Sequence, residues 1–159
     1  MNKKTLITAV IVGIIASIAF ILVQPLFGMA TLTSRHAGAY IKLGEYGATS
    51  ALIISWFVHI SVSVFYAVIS AAIFNINRSA LVNIGQVLVL GWITTLTATP
   101  ANEWVVKFVT SLQLPAFSSL SAVNTEVGPK LWLHIMFFAF IVVGLIFAKS
   151  DQQQDTFID

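Results

Sequence analysis

The sequence predicts an all-α integral membrane protein, a four-helix transmembrane bundle with a small extramembrane cap formed by two long loops. Of its 159 residues, 58% are apolar and only 9% are charged, whereas an ordinary soluble domain is about 25% charged. Four apolar runs contain no charged side chain. Each is close to the length of about 20 residues that a helix needs to cross the hydrocarbon core.

The same composition excludes several other classes of protein. So apolar a chain is neither a soluble globular domain, nor a disordered segment, nor a nucleic-acid-binding module. Its net charge of +2 comes with no run of basic residues of the kind that binds anionic lipid or nucleic acid. Because the chain has no cysteine, it can form no disulfide, iron–sulfur site, thiolate–zinc site or cysteine nucleophile.

The four runs give the predicted spans, within a single membrane domain that covers residues 1–159. They are residues 6–26, 51–74, 81–98 and 131–148. The first has a basic start and a small-x-small step at residues 28–30, as a cleaved signal peptide would, but its apolar run is longer than the usual 7–15 residues. We therefore expect a retained helix. Thr99 and Pro100 are expected to end the third span, and the polar tail 151–159 is expected to fray.

Two long connections, residues 30–50 and 101–127, are expected on the same side of the membrane, where they form the cap. In the second connection, Trp104, Phe108 and Leu112 recur every four residues, which is typical of an amphipathic helix in the headgroup region. Orientation follows from the basic residues near the span ends. Lys3, Lys4 and Arg78, which lies in the shortest loop, favour cytoplasmic N- and C-termini.

Small and polar residues mark the helix faces expected to point into the bundle, because membrane helices associate through close packing and hydrogen bonds. Ala9, Gly13 and Ser17 form a close-contact seam in the first span. The predicted polar interior consists of Ser55, Ser63, Tyr66, Asn83, Gln86 and Thr94. Ordinary bundle packing explains such faces. The alternative is the lining of a small channel or transporter, although an ion path usually needs an intramembrane carboxylate or cation and these spans have none.

His59 and His134 are the most informative residues, because an ionisable side chain within a span is costly. Three interpretations stay open, of which a zinc or copper site is the third. The histidines are either neutral hydrogen-bonding groups of the bundle or the axial ligands of a haem b iron, with aromatic residues such as Phe137 and Phe138 as the walls. A zinc or copper site would need further ligands such as His36 or Met136. If the protein binds haem, His59 and His134 are the residues that bind the cofactor and ligate its iron.

No catalytic residue is predicted, and the chain is interpreted as a protein that is not an enzyme. Glu45, Glu103 and Glu126 lie in the long connections and are expected to be solvated charges. A surface enzyme built from Glu103, His36 and Glu126 is the alternative, but no motif specifies it.

One segment of the second span supports a family assignment. The run from His59 to Val68 reads HISVSVFYAV. It resembles a His-Ile-x-x-Ser-x-x-aromatic-Ala-Val pattern of the YagU-type small inner-membrane proteins of bacteria. The likeness extends to Gly85, Pro100 and the Trp132–Ile135 step, over about half the chain. The resemblance implies a multi-pass protein of the bacterial inner membrane with transmembrane histidines and no assigned reaction.

Together these observations predict a small inner-membrane protein without an evident catalytic site, acting as an accessory or oligomeric membrane subunit. Its partners are then the lipid bilayer and a larger membrane complex or further copies of itself, and not nucleic acid. A haem b electron carrier using His59 and His134 and a small channel or transporter are the alternative functions.

Overall fold

A computed structural model describes residues 1–125 and 128–155. Its α-helices are α1 (Lys3–Val23), α2 (Leu32–Gly44), α3 (Ala48–Ile76), α4 (Ala80–Ser111) and α5 (Gly128–Asp155). Single 3-10 turns occupy Gln24–Phe27 and Phe117–Ser119, and the described part of the chain contains no strand. The four long helices are apolar and long enough to cross a membrane. The predicted all-α four-helix bundle is therefore confirmed.

Polar side chains cap the N-termini of three helices. Asn2, Thr31 and Ser79 accept hydrogen bonds from the backbone N–H groups three residues later, at the first turns of α1, α2 and α4. Each bond satisfies one of the N–H groups that a helix start leaves without a partner. At the end of α1 the chain reverses through Gly28, whose φ of 70° favours glycine.

Helix α4 passes through Thr99 and Pro100, where the third span is expected to end, and continues to Ser111. Proline has no N–H to donate to the carbonyl four residues earlier, which usually breaks a helix. Here the backbone N–H of Asn124 donates to the carbonyl oxygen of Leu96 at 2.8 Å, so that carbonyl keeps a partner. The amphipathic stretch that contains Trp104 and Phe108 is therefore the last part of α4.

The expected fraying of the polar tail stays a prediction. Helix α5 continues to Asp155, five residues into that tail. Residues 156–159 of that predicted tail lie outside the described residues. The predicted membrane-span limits themselves stay predictions, since the length of a helix does not fix where the bilayer begins.

Four helices form a ring in which α1 packs between α3 and α5, and α5 packs between α1 and α4. Helices α3 and α4 make few direct contacts with each other. The close seam predicted at Gly13 lies against α3: a Cβ atom there would be 2.8 Å from Cα of Val64 and 3.0 Å from Cβ of Ala67. The buried apolar core is formed mainly by α1, α3 and α5, with Phe138 and Ile141 fully buried.

Helix α2 fills part of the gap between α3 and α4. The Ser55 hydroxyl of α3 donates to the carbonyl of Thr33 at 2.6 Å, and the Tyr46 hydroxyl that follows α2 donates to the carbonyl of Val109 in α4 at 2.9 Å. Tyr40 is completely buried, in a small cluster with Ala51 and Val106. The first of the two long connections therefore forms a wedge between two spanning helices.

Candidate histidine cavity

The three histidines of the chain lie on three different helices, at the end of the bundle where α2 is wedged. His36 of α2 and His59 of α3 are buried, and His134 of α5 is partly buried. The phenyl ring of Phe20 in α1 contacts two of them, with ring centroids 5.5 Å from His59 and 5.8 Å from His134. The two transmembrane histidines therefore belong to one site, although they come from opposite parts of the sequence.

His59 is held by a backbone group of α1. Its Nε2 atom lies 3.1 Å from the carbonyl oxygen of Ser17. A carbonyl oxygen only accepts hydrogen bonds, so Nε2 carries the hydrogen in the neutral ring. The Nδ1 atom then has a free lone pair, and it makes no hydrogen bond to a described residue.

His134 is held by a side chain of α4 in the opposite tautomer. Its Nδ1 atom lies 2.9 Å from Oγ1 of Thr95, and that hydroxyl donates its single hydrogen to the carbonyl of Gly91 at 2.7 Å. With the Thr95 hydrogen on Gly91 the hydroxyl accepts at His134, so we assign the ring hydrogen to Nδ1 and the free lone pair to Nε2. The backbone of Lys130, one turn earlier in α5, is a further hydrogen-bond partner of this ring. Each histidine therefore donates from one nitrogen and offers an acceptor on the other.

Both rings line a cavity of about 90 Å³ between α3, α4 and α5. Water in the liquid takes up about 30 Å³ per molecule, so the enclosed part suits a few waters or the polar head of a small molecule. Val62 of α3 lines the same cavity and is 41% exposed. The cavity therefore reaches the outer face of the bundle beside α3, the helix that makes few contacts with α4.

No charged side chain lies among the described residues that line the cavity, whose polar members are histidine, serine, threonine, tyrosine and asparagine. A buried imidazolium would have no carboxylate to stabilise it there, so both rings are expected to be neutral. Within the described ranges, no group of three or more histidine and acidic side chains is placed to hold a metal ion. The cavity is thus a neutral, polar site with two nitrogen acceptors.

The geometry fits a haem poorly. A porphyrin ligated by both histidines would lie between the two imidazoles, yet Phe20 contacts both rings. The cavity volume of about 90 Å³ is also several-fold below the 300–1,000 Å³ of pockets that hold larger ligands. Haem binding would require Phe20 to leave and the helices to separate.

The predicted polar interior divides into separate groups. Ser63, Tyr66 and Thr94 line the histidine cavity, whereas Ser55 bonds to α2. Asn83 and Gln86 lie at the other end of the bundle, where Gln86 donates to Asn83 and Asn83 donates to the carbonyl of Arg78. The core described above, with Phe138 and Ile141 fully buried, occupies the bundle interior. In this conformation the six residues do not line one path.

Several residues of the site were missed from the sequence. Thr95, which was not among the predicted polar residues, contacts His134, and Phe20 contacts both histidine rings. Asn102, beyond the expected end of the third span, also lines the cavity. The position of Thr95 one turn after Gly91, where its hydroxyl bonds to the backbone, was the available signal for a polar contact to a neighbouring helix.

A second pocket of about 270 Å³ adjoins the histidine cavity, since Leu32 and Asn102 line both. It contains His36 and Glu103, two members of the surface enzyme considered above. Glu103 is already engaged: its carboxylate forms an ion pair with Lys107 at 2.9 Å and accepts the N–H of Ser121 at 2.8 Å. Neither nitrogen of His36 has a hydrogen bond of normal length and angle. Glu126 lies outside the described residues.

The fold and its four long apolar helices define a multi-pass membrane protein of the all-α class. Neither a protein-family model, nor a curated protein, nor a solved structure matches the chain. Its function is therefore argued from the chemistry of the cavity.

Proposed function

We propose that the protein is a non-enzymatic membrane protein whose cavity binds a small uncharged molecule through a hydroxyl group. The observation that carries the proposal is the pair of histidine contacts, Nε2 of His59 with the Ser17 carbonyl and Nδ1 of His134 with Oγ1 of Thr95, from which we infer opposite tautomers. Nδ1 of His59 and Nε2 of His134 are two acceptors without a protein donor, on rings that line the same cavity. A ligand that donates a hydrogen bond supplies the partner that each of these two nitrogens lacks within the protein.

The other polar groups of the cavity limit the chemistry of the ligand. The Thr94 hydroxyl is buried without a partner and can either donate or accept. The absence of charge among the lining residues favours a neutral ligand over an ion, because a lone ion would be poorly solvated there. An alcohol, which both donates and accepts, matches these groups. An apolar remainder of the molecule would extend past Val62 toward the bilayer.

The wider role that we propose is that of an accessory or oligomeric subunit in the bacterial inner membrane, with both termini in the cytoplasm. The basic residues at the span ends and the resemblance to YagU-type proteins support this setting. Reporter fusions at the two termini test the orientation: both are expected to report the cytoplasm, and opposite locations would contradict the four-span arrangement. Neither a haem carrier nor a channel is favoured by a contact in the structure.

A matched pair of probes tests binding at the cavity. 2-Fluoroethanol and the isosteric 1-fluoropropane, equilibrated as a gas, differ in one hydroxyl group and are followed by ¹⁹F NMR on detergent-purified protein. One buried hydrogen bond contributes about 1.4 kcal/mol, so we expect the alcohol to bind roughly tenfold more tightly. Replacing either acceptor, in His59→Leu or His134→Leu, is expected to reduce that preference to about twofold.

His36→Leu is the matched control, because the same substitution is made next to the cavity rather than in its lining. It is expected to keep the preference for the alcohol. Equal binding of the two probes by the unmodified protein, or an unchanged preference in both cavity variants, would contradict the proposed function.

A further inference from the structure

Two adjoining cavities lie at the other end of the bundle, where α3 turns into α4. One is an apolar groove of about 550 Å³ between α4 and α5, and the other is a smaller pocket of about 140 Å³ with polar walls. Phe74 and Arg78 line both, so the apolar groove and the polar pocket adjoin each other at these two side chains.

The polar pocket carries two cations and no carboxylate among its described lining residues. Arg78 comes from the turn between α3 and α4 and Lys149 from α5. In the described part of the chain, neither Arg78 nor Lys149 forms an ion pair. The pair that does form there, between Glu103 and Lys107, lies at the opposite end of the bundle. Arg78 and Lys149 are therefore placed to bind an anion.

Neutral donors surround these two cations. The side chains of Asn2, Asn75 and Thr8 also line the pocket. Asn2 uses its carbonyl oxygen to cap α1, which leaves its N–H₂ group as a donor. A phosphate group accepts several hydrogen bonds at once, and a guanidinium binds it with two parallel N–H groups. The pocket thus has the donors and the charge that a phosphate requires.

The groove accommodates the apolar part of the ligand. It is lined by apolar side chains of α4 and α5, with Ile84, Leu88 and Ile146 strongly exposed on its rim. Ala139, a small residue, leaves space at its base. In a multi-pass membrane protein an exposed apolar groove faces lipid tails, and an acyl chain is the molecule that fills it.

We propose that this composite site binds one anionic phospholipid, with the phosphate held by Arg78 and Lys149 and one acyl chain in the groove between α4 and α5. Basic pockets between transmembrane helices bind acidic headgroups in this way. The sequence shows no basic cluster because Arg78 and Lys149 are 71 positions apart. The fold brings them into one pocket, so the site is visible only in three dimensions.

Native mass spectrometry of the delipidated protein in detergent tests this proposal, with dioleoyl phosphatidylglycerol and dioleoyl phosphatidylcholine as probes. The two lipids share their acyl chains and differ in net charge. We expect a single tightly bound phosphatidylglycerol, preferred by about 30-fold, because each of the two cations contributes about 1 kcal/mol, or about fivefold, toward an anionic lipid. Arg78→Gln and Lys149→Gln are each expected to reduce the preference about fivefold.

Lys42→Gln is the control, because it removes the same charge from an exposed position in α2. It is expected to keep the preference. Ala139→Leu, which narrows the groove, is expected to weaken retention of both lipids without changing their ratio. Equal retention of the two lipids, or an unchanged preference in both Arg78→Gln and Lys149→Gln, would overturn the proposal. Competition by free glycerol phosphate at the lipid's own concentration would also overturn it, since the acyl chain would then contribute nothing.

Discussion

Replacing Gly13 by leucine is expected to lower the free energy of unfolding by about 3 kcal/mol. A side chain at this position would meet Cα of Val64 at 2.8 Å and Cβ of Ala67 at 3.0 Å. Neither atom can move by a change of rotamer, so α1 must shift away from α3, and overpacking of this kind typically costs about 1–3 kcal/mol. Unfolding of the detergent-purified protein by increasing fractions of SDS, followed by circular dichroism, measures the change.

Gly85→Leu is the control for this substitution. No atom lies within 4 Å of a Cβ built at Gly85, and leucine is the better helix former by roughly 0.8 kcal/mol. Gly85→Leu is therefore expected to leave the stability unchanged or slightly raised. If the two substitutions shift the unfolding midpoint equally, the close contact between α1 and α3 does not exist as described.

Acidification is expected to destabilise the wedge of α2 through His36. The pKa of His36 is lowered from 6.5 to about 4, chiefly by burial and to a smaller extent by the neighbouring Arg35 guanidinium and His59 ring, with the Asn102 side chain acting in the opposite direction. Above pH 6.5 the ring is neutral in both the folded and the unfolded chain, so it contributes no pH dependence. Between pH 6.5 and 4 only the unfolded chain binds the proton, so stability falls as the pH falls.

The expected loss over that window is about 3 kcal/mol for a single buried histidine. SDS unfolding at a series of pH values measures it, and the difference between the unmodified protein and His36→Leu isolates the part due to His36. The variant is expected to lose correspondingly less stability on acidification. Parallel pH curves for the two proteins would show that His36 takes up its proton in the fold as easily as in the unfolded chain.

The spanning helices were predictable because length and hydropathy decide them locally. An uncharged apolar run of about 20 residues has few alternatives to a transmembrane helix. The continuation of α4 through Pro100 was not predictable in this way. It depends on the N–H of Asn124, which lies 24 residues after the proline. Helix α2 is a similar case, since its wedge position depends on contacts with α3 and with the far end of α4.

The candidate site was predictable in part. The cost of a histidine inside a span singled out His59 and His134 from the sequence alone. Their shared cavity depends on the order of the helices around the bundle, which places α1 beside both α3 and α5 and so brings Phe20 against both rings. The tautomers depend on Thr95 and on the Ser17 carbonyl, contacts between helices that no local pattern specifies.

The most direct measurement is the ¹⁵N NMR spectrum of the histidine-labelled protein at neutral pH, with Thr95→Val as the assigning variant. We predict two neutral transmembrane rings in opposite tautomers, with the hydrogen on Nε2 of His59 and on Nδ1 of His134. Thr95→Val removes the acceptor of the second bond and is expected to shift the His134 signals alone. The same tautomer at both positions, an imidazolium at either, or iron-ligated rings would contradict a neutral cavity with two free acceptors.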